Sequence, residues 1–337
     1  MKFKIVKNQT LGYNMKEKLA PIILFAYNRP WHTEQVLQAL KRNILADQSE
    51  LIVYIDGPKS HATEEQIKLI NQVHEVVQKE LWCKTVELHF SETNIGCRDS
   101  IIQGITDVLG RNDAVIVLED DIVTSQYFLL FMNKCLEFYR NKKAVFSISG
   151  MNLPQNRMLL PNDYEYDVFA SLRQLNSGWA TWSDRWNLID WNLDFIPDFL
   201  QNKELLESYS RGGDDLIPML LDQVAGRSDA WDIQFTYNHF INHSVSIIPR
   251  YSYVDNIGGD GSGIHHLDSN EIWRFNLNQA LESPRLLSVI YEDKRIVNAF
   301  YNAFCSRKRP IWQKGLNRLS RLFGGKNIFT IKKKIYD

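Results

Sequence analysis

Four short apolar, β-rich runs alternate with amphipathic helical stretches over the first 120 residues, and no other feature of the chain restricts its fold as much. PIILFAY (21–27) precedes a helical pattern from Trp31 to Lys41, and LIVYID (51–56) precedes one from about Glu64 to Lys79. VELHF (86–90) is followed by a helix from about Asp99 to Leu109, and VIVLED (115–120) closes the series. Such alternation predicts a Rossmann-like α/β fold: a mostly parallel sheet flanked by helices, with ligands bound beyond the strand ends. A helix over about 126–140 then leads into AVFSISG (144–150). After Pro154 the pattern gives way to loops, aromatics and scattered Gly and Pro, as suits a half that shapes a substrate. The expected organisation is an α/β half over 20–155, a second half of the same domain over 156–275, and a helical, basic tail over 276–337.

The fourth strand runs straight into Glu119, Asp120 and Asp121. Adjacent like charges repel, and a protein interior does not hold them unpaired, so a cation is expected among them. Carboxylates converging at the mouth of a parallel sheet form a hard-oxygen site for Mg²⁺ or Mn²⁺, completed by phosphate oxygens of a substrate. The plainer explanation is that the acids open the next helix, where they favour the macrodipole and Thr124 or Ser125 caps it. An aspartyl-phosphate phosphatase would want acids two apart followed by Thr, but position 122 is Ile122.

Farther on, NIGGDGSGIHH (256–266) places Gly258, Gly259, Gly261 and Gly263 within six residues. A lid is expected there, its bare backbone closing on phosphates with Ser262 as a donor. Five of the nine tryptophans, Trp179, Trp182, Trp186, Trp191 and Trp231, fall between 179 and 231. Ring faces stack on sugars but also fill cores; Trp179 and Trp231 are the two expected to line an acceptor site, the others to pack.

Charge separates the tail from the body. From Arg307 onward ten lysines and arginines face the single acid Asp337, which leaves the rest of a chain of net charge −1 with a surplus of ten negative charges. Ile311, Trp312, Leu316, Leu319, Leu322 and Phe323 recur at helical spacing, with Lys314, Arg318 and Arg321 opposite, the pattern of a helix lying on an anionic membrane surface or docked on the body. Nucleic acid is not an expected partner, because the basic residues are confined to the tail. With 44% hydrophobic and 23% charged residues the composition is that of a soluble globular protein. Cys83, Cys97, Cys135 and Cys305 form no C-x-x-C pair, so neither zinc nor a disulfide framework is implied. With no apolar signal region at the start and no run of ~18 apolar residues, a cytoplasmic location is expected, peripheral to the inner face of a membrane if the tail binds there.

Taken in order, FAYNRP (25–30), YIDGP (54–58), VIVLEDDI (115–122), NSGWATWSDRWN (176–187) and AWD (230–232) resemble the GT-A nucleotide-sugar glycosyltransferases, in particular the group related to N-acetylglucosaminyltransferase I, with a bacterial member implied. The resemblance spans about residues 20–266. It implies a metal-dependent, inverting hexosyl- or N-acetylhexosaminyltransferase that uses a UDP-sugar and a glycan or lipid-linked glycan acceptor. Arg29 would then reach the nucleotide or its phosphates, and Asp56 would accept the uracil imide N–H. Glu119 would face the donor sugar, Asp120 the ribose hydroxyls, and Asp121 the Mn²⁺ or Mg²⁺ that bridges the phosphates. His265 or His266 stands where many such enzymes take a further metal ligand. Asp232 would be the base, with Asp214, Asp215 and Asp229 as rivals; its plainer role is to cap a helix over 233–241. Arg29 and Asp56 have plainer roles too, as an ion pair at the sheet edge and as a turn residue. A nucleotidyltransferase is the neighbouring enzyme class, but it would carry a Gly-rich basic signature where this chain has AYNRPWHT. A non-catalytic carbohydrate- or membrane-binding protein is the alternative outside enzymes, and it has no evident reason to retain charges that repel without metal.

Overall fold

The computed structural model describes residues 2–6, 18–194, 196–260 and 275–304. Ser262, His265, His266 and the basic stretch from Arg307 lie outside the described residues. The α/β class expected above is what the chain adopts. In chain order the first half runs β1 (Lys2–Val6), β2 (Ile22–Ala26), α1 (Pro30–Lys41), β3 (Glu50–Ile55), α2 (Glu64–Gln78), β4 (Thr85–Phe90), α3 (Cys97–Leu109) and β5 (Ala114–Glu119). It continues with β6 (Ile122–Thr124), α4 (Phe128–Tyr139), β7 (Val145–Ser149), β8 (Val168–Ser171), β9 (Trp179–Trp182) and α5 (Ser183–Trp186). Then come α6 (Ile196–Gln201), α7 (Lys203–Tyr209), α8 (Leu216–Val224), α9 (Trp231–Ile241), β10 (Val245–Pro249), β11 (Val254–Asn256) and α10 (Lys294–Phe304).

Among the described residues nine strands form one sheet in the order β1-β4-β3-β2-β5-β9-β7-β10-β8. The contiguous parallel block β4-β3-β2-β5 is the segment whose alternation is visible in the sequence. β9 runs antiparallel between β5 and β7, β10 lies parallel to β7, and β8 and β1 close the two edges antiparallel. Residues beyond 155 thus complete the sheet of the first half. The acids do not open a helix, the plainer explanation weighed above: Asp121 leads into the short strand β6, which pairs with β11.

Period-two alternation explains the layering. In β2, Ile22, Leu24 and Ala26 face a core shared with Val36, Leu37 and Leu40 of α1 and Val73 and Val77 of α2. Ile23 and Phe25 face the opposite core, with Ile101, Ile105 and Val108 of α3 and Phe235 of α9. A strand buried on both sides has to be apolar throughout, and all five residues of β2 are buried. Local signals fix the helix starts: Pro30 stands in the first turn of α1, and Thr63 and Gln66 form a reciprocal capping box at α2. A third core around Phe199, Tyr209, Leu220 and Tyr237 holds α6 to α9 together.

Candidate active site

The strand order places the chemistry. From β2 the chain winds outward through β3 and β4, then returns to lay β5 against the other side of β2. Ligands of open α/β sheets bind in the crevice outside the carboxyl ends of the strands where the winding reverses, here β2 and β5. Arg29 follows β2, and Glu119, Asp120 and Asp121 end β5, so one cation and three acids meet at that crevice. The Arg29 guanidinium spans two of the acids: Nη2 donates to Asp120 Oδ1, and Nη1 lies 3.1 Å from Asp121 Oδ2. The cation demanded by the acidic run is thus supplied, in part, by the chain itself.

Electrostatics follow from this enclosure. Burial pushes the Glu119 carboxyl up to about 8, with the charges of Asp121 and Asp120 adding to the shift and Arg29 opposing it. Burial also raises Asp120, although Arg29 pulls it down. Burial works against the Arg29 charge, but Asp120 and Asp121 outweigh it and hold the guanidinium firmly protonated. An arginine does not give up its proton, so its contact with Asp120 holds that group as a carboxylate.

A second layer covers the pair. The Asp121 carbonyl accepts from Ile257 N at 2.9 Å, and Gly258 N donates to Asn256 Oδ1 at 2.8 Å. A Cβ at Gly258 would collide with the Asp121 carboxylate and lie 3.2 Å from Arg29 Nη1, so only glycine lets the backbone approach this closely. Asp260 Oδ2 stands 3.1 Å from Nε2 of His32 on α1. The start of the Gly-rich stretch therefore rests on the acid and arginine cluster; the serine and histidines expected to complete it fall outside the described residues.

Asp56, at the end of β3, organises the neighbouring wall. Its Oδ1 accepts from Gly57 N at 2.9 Å and Ile95 N at 3.0 Å, and its Oδ2 from Asn94 Nδ2 at 2.8 Å and Gly96 N at 3.0 Å. Four donors fill the lone pairs of a carboxylate, so an imide contact would have to displace one of them. A Cβ at Gly57 would come within 2.6 Å of the Thr93 backbone, which explains the glycine of the DGP turn.

Asp232 lies in the first turn of α9, whose N-cap is Ala230 rather than Asp232. Its Oδ2 is 3.4 Å from Asn176 Nδ2. Arg98, at the start of α3, donates from Nε to Gln234 Oε1 at 2.9 Å and so fastens α9 beside the strand ends. The charge of Asp232 reaches Glu119, whose carboxyl it helps to raise. Of the rivals, Asp215 pairs with Arg173 at 2.9 Å and Asp229 is largely exposed.

Trp179 and Trp231 stack on each other, centroids 5.1 Å apart, and are 1% and 5% exposed within the core that backs β5. Their rings support the site from behind and present no face to a sugar, which corrects the acceptor-lining role expected of them. The clustering of tryptophans reports a packed core because α3 and α9 must cover the apolar face shared by the neighbouring strands β5 and β9.

A divalent ion fits this site only in part. Among the described residues no group of three or more His, Cys, Asp or Glu side chains is arranged to hold a metal. Asp121 offers hard carboxylate oxygen, the chemistry that Mg²⁺ and Mn²⁺ prefer, as a single protein ligand to an ion whose other ligands would be substrate oxygens. The sequence raised an ion pair for Arg29 as its plainer role but did not disclose its partners, the Asn94–Gly96 segment on Asp56, or the contact of His32 with Asp260.

No family model matches the chain, and no curated protein matches it in sequence. Solved structures similar to it include TarS residues 1–349 from S. aureus, with a TM-score of 0.38 and 11% identity over 70% of this chain and 59% of that one. The mannosyltransferase PcManGT from Pyrobaculum calidifontis, in complex with GDP-Man and Mn²⁺, matches with a TM-score of 0.34 and 13% identity over 48% of this chain and 44% of that one. A putative glucose-1-phosphate thymidylyltransferase from Bacillus anthracis matches with a TM-score of 0.31 and 11% identity over 58% and 84%. This chain thus spans less than two thirds of the length of TarS 1–349.

Proposed function

We propose that the chain is a metal-dependent glycosyltransferase that moves a sugar, with inversion, from a UDP-sugar to a hydroxyl of a glycan or lipid-linked glycan. The observation that carries this is the switch-point crevice, where the β5 acids, the forked cation after β2 and the helix-borne Asp232 share one electrostatic field. The motif order of the sequence supplies the nucleotide and the sugar class.

Asp232 takes the proton of the acceptor hydroxyl as that oxygen attacks the anomeric carbon, and the bond to the diphosphate breaks on the opposite face, UDP leaving with the electron pair. Arg29 offers the diphosphate a forked, charge-assisted partner. Glu119 lies toward the donor sugar and Asp120 toward the ribose, while Asp56 holds the Asn94–Gly96 wall beside the base. Asp121 would hold Mn²⁺ or Mg²⁺, which when bound neutralises charge gathering on the departing diphosphate. Ser262 and His265 are assigned to the diphosphate and the metal by the sequence alone, and the tail to an anionic membrane surface.

The test is a panel of nucleotide sugars assayed for Mn²⁺-dependent UDP release, with water as the default acceptor. Release from one or a few UDP-sugars is expected; no release from any member, with the protein folded, removes the proposal.

A further inference from the structure

We propose that Arg29 is the resident counter-cation of the acidic strand end, and that a divalent ion gains Asp121 only as a nucleotide diphosphate draws the guanidinium away. This rests on the donor-site function proposed above. Its basis is geometric. The two Nη atoms of one side chain serve two successive acids, with Nη1 at 3.1 Å from Asp121 Oδ2. The Arg29 backbone is fixed at the start of α1, its carbonyl accepting from Thr33 N at 3.0 Å and Thr33 Oγ1 at 2.9 Å, and Gly258 lies against both Nη1 and the Asp121 carboxylate. Also near the crevice, His32 Nε2 on α1 and Asp260 Oδ2 of the Gly-rich segment stand 3.1 Å apart.

Competition follows from these contacts. A metal ion at Asp121 would share a carboxylate, in an enclosed place, with a guanidinium already bound to it, and like charges so close repel strongly. No other described His, Cys, Asp or Glu cluster is present to repay that repulsion. A diphosphate changes the balance on both counts. Its oxygens give the guanidinium fork an equivalent bidentate partner, and they supply the ligands that one aspartate cannot. Arg29 is then a positioning residue that makes metal binding conditional on donor, which keeps the site closed to free Mg²⁺ or Mn²⁺.

The experiment measures Mn²⁺ affinity from the electron paramagnetic resonance signal of the free ion, with and without UDP, in the wild type and in Arg29→Met. The wild type is expected to bind Mn²⁺ weakly alone and at least tenfold more tightly with UDP. Arg29→Met should bind Mn²⁺ alone at least tenfold more tightly than the wild type, with the dependence on UDP correspondingly reduced. Arg29→Lys keeps the charge without the fork, should fall between them, and decides the matter if the methionine variant does not fold. Mn²⁺ affinity without UDP that is unchanged in the folded variants overturns the proposal, even if UDP sharpens Mn²⁺ binding in all of them, in which case the donor-site function survives. If the variants gain Mn²⁺ but UDP alters its affinity in none, the counter-cation role stands and the nucleotide-sugar function falls.

Discussion

Asp56→Asn tests whether this carboxylate is the organiser of the wall beside the crevice. In the wild type it accepts four hydrogen bonds, two per oxygen, from Gly57 N, Ile95 N, Asn94 Nδ2 and Gly96 N. An asparagine keeps one oxygen and turns an NH₂ group toward two donors, so two bonds are lost and donors are left facing donors. A hydrogen bond to a charged acceptor contributes roughly 1.5–3 kcal/mol, so two correspond to about 3–6 kcal/mol at most. Ile95 is 39% exposed, so water replaces part of the loss and the lower end, about 3 kcal/mol, is expected. At about 1.4 kcal/mol per decade, that is roughly a hundredfold loss of protection. Hydrogen exchange at the Ile95 and Gly96 amides should speed up by that factor, while the amides of β2 and β5 move less. Unchanged exchange at both amides would refute the reasoning, because it would mean that the carboxylate is not what orders the segment.

Three further outcomes are expected. Asp232→Asn should lower turnover by about 10²–10⁴-fold while UDP and Mn²⁺ still bind, and near-wild-type turnover would exclude Asp232 as the base. His239 is fully buried on α9, and that burial, against a weaker backbone interaction at Val245, pushes its imidazole down to about 4. The folded protein therefore binds fewer protons than the unfolded chain between about pH 6.5 and 4. Stability should fall by ~1.4 kcal/mol per pH unit as pH drops through that window, about 3 kcal/mol in all, and His239→Leu should flatten the slope in urea denaturation. Truncation after Ser306 should abolish binding to anionic liposomes, and equal binding by both forms would dispose of a membrane role for the tail.

What was legible in the sequence follows from what periodicity encodes. The parallel block β2 to β5 and helices α1 to α3 were visible because the strands are apolar runs buried in the sheet and each helix presents one apolar stripe, while α4, buried nearly all round, showed as a long apolar run. β8 and β9 have four residues each, β6 and β11 three, and such lengths carry too few repeats to stand out among loops and aromatics. Trp179 of WATW was expected to line an acceptor site, when it belongs to the strand that joins the two halves of the sheet. At the site, residue types were legible and their partners were not. Arg29 and Asp120 are 91 positions apart in the chain, and they meet because β2 and β5 are neighbours, a matter of strand order that no local pattern records.

Under the proposed function, that strand order would also make donor and metal depend on one another. One guanidinium serves both Asp120 and Asp121, and the charge of Asp232 reaches the same place, so acids outnumber cations in the crevice. A bare diphosphate entering it meets like charge, and a bare divalent ion meets the guanidinium. Brought in together they cancel: the diphosphate satisfies the displaced Arg29, and the divalent charge compensates both the carboxylates and the phosphates. A neutral sugar offers the crevice no such exchange, so on the proposed function the acids beside Arg29 would favour a ligand that is anionic and metal-bound. If a plain sugar bound here as tightly as UDP with Mn²⁺, this charge argument would fail together with the function built on it.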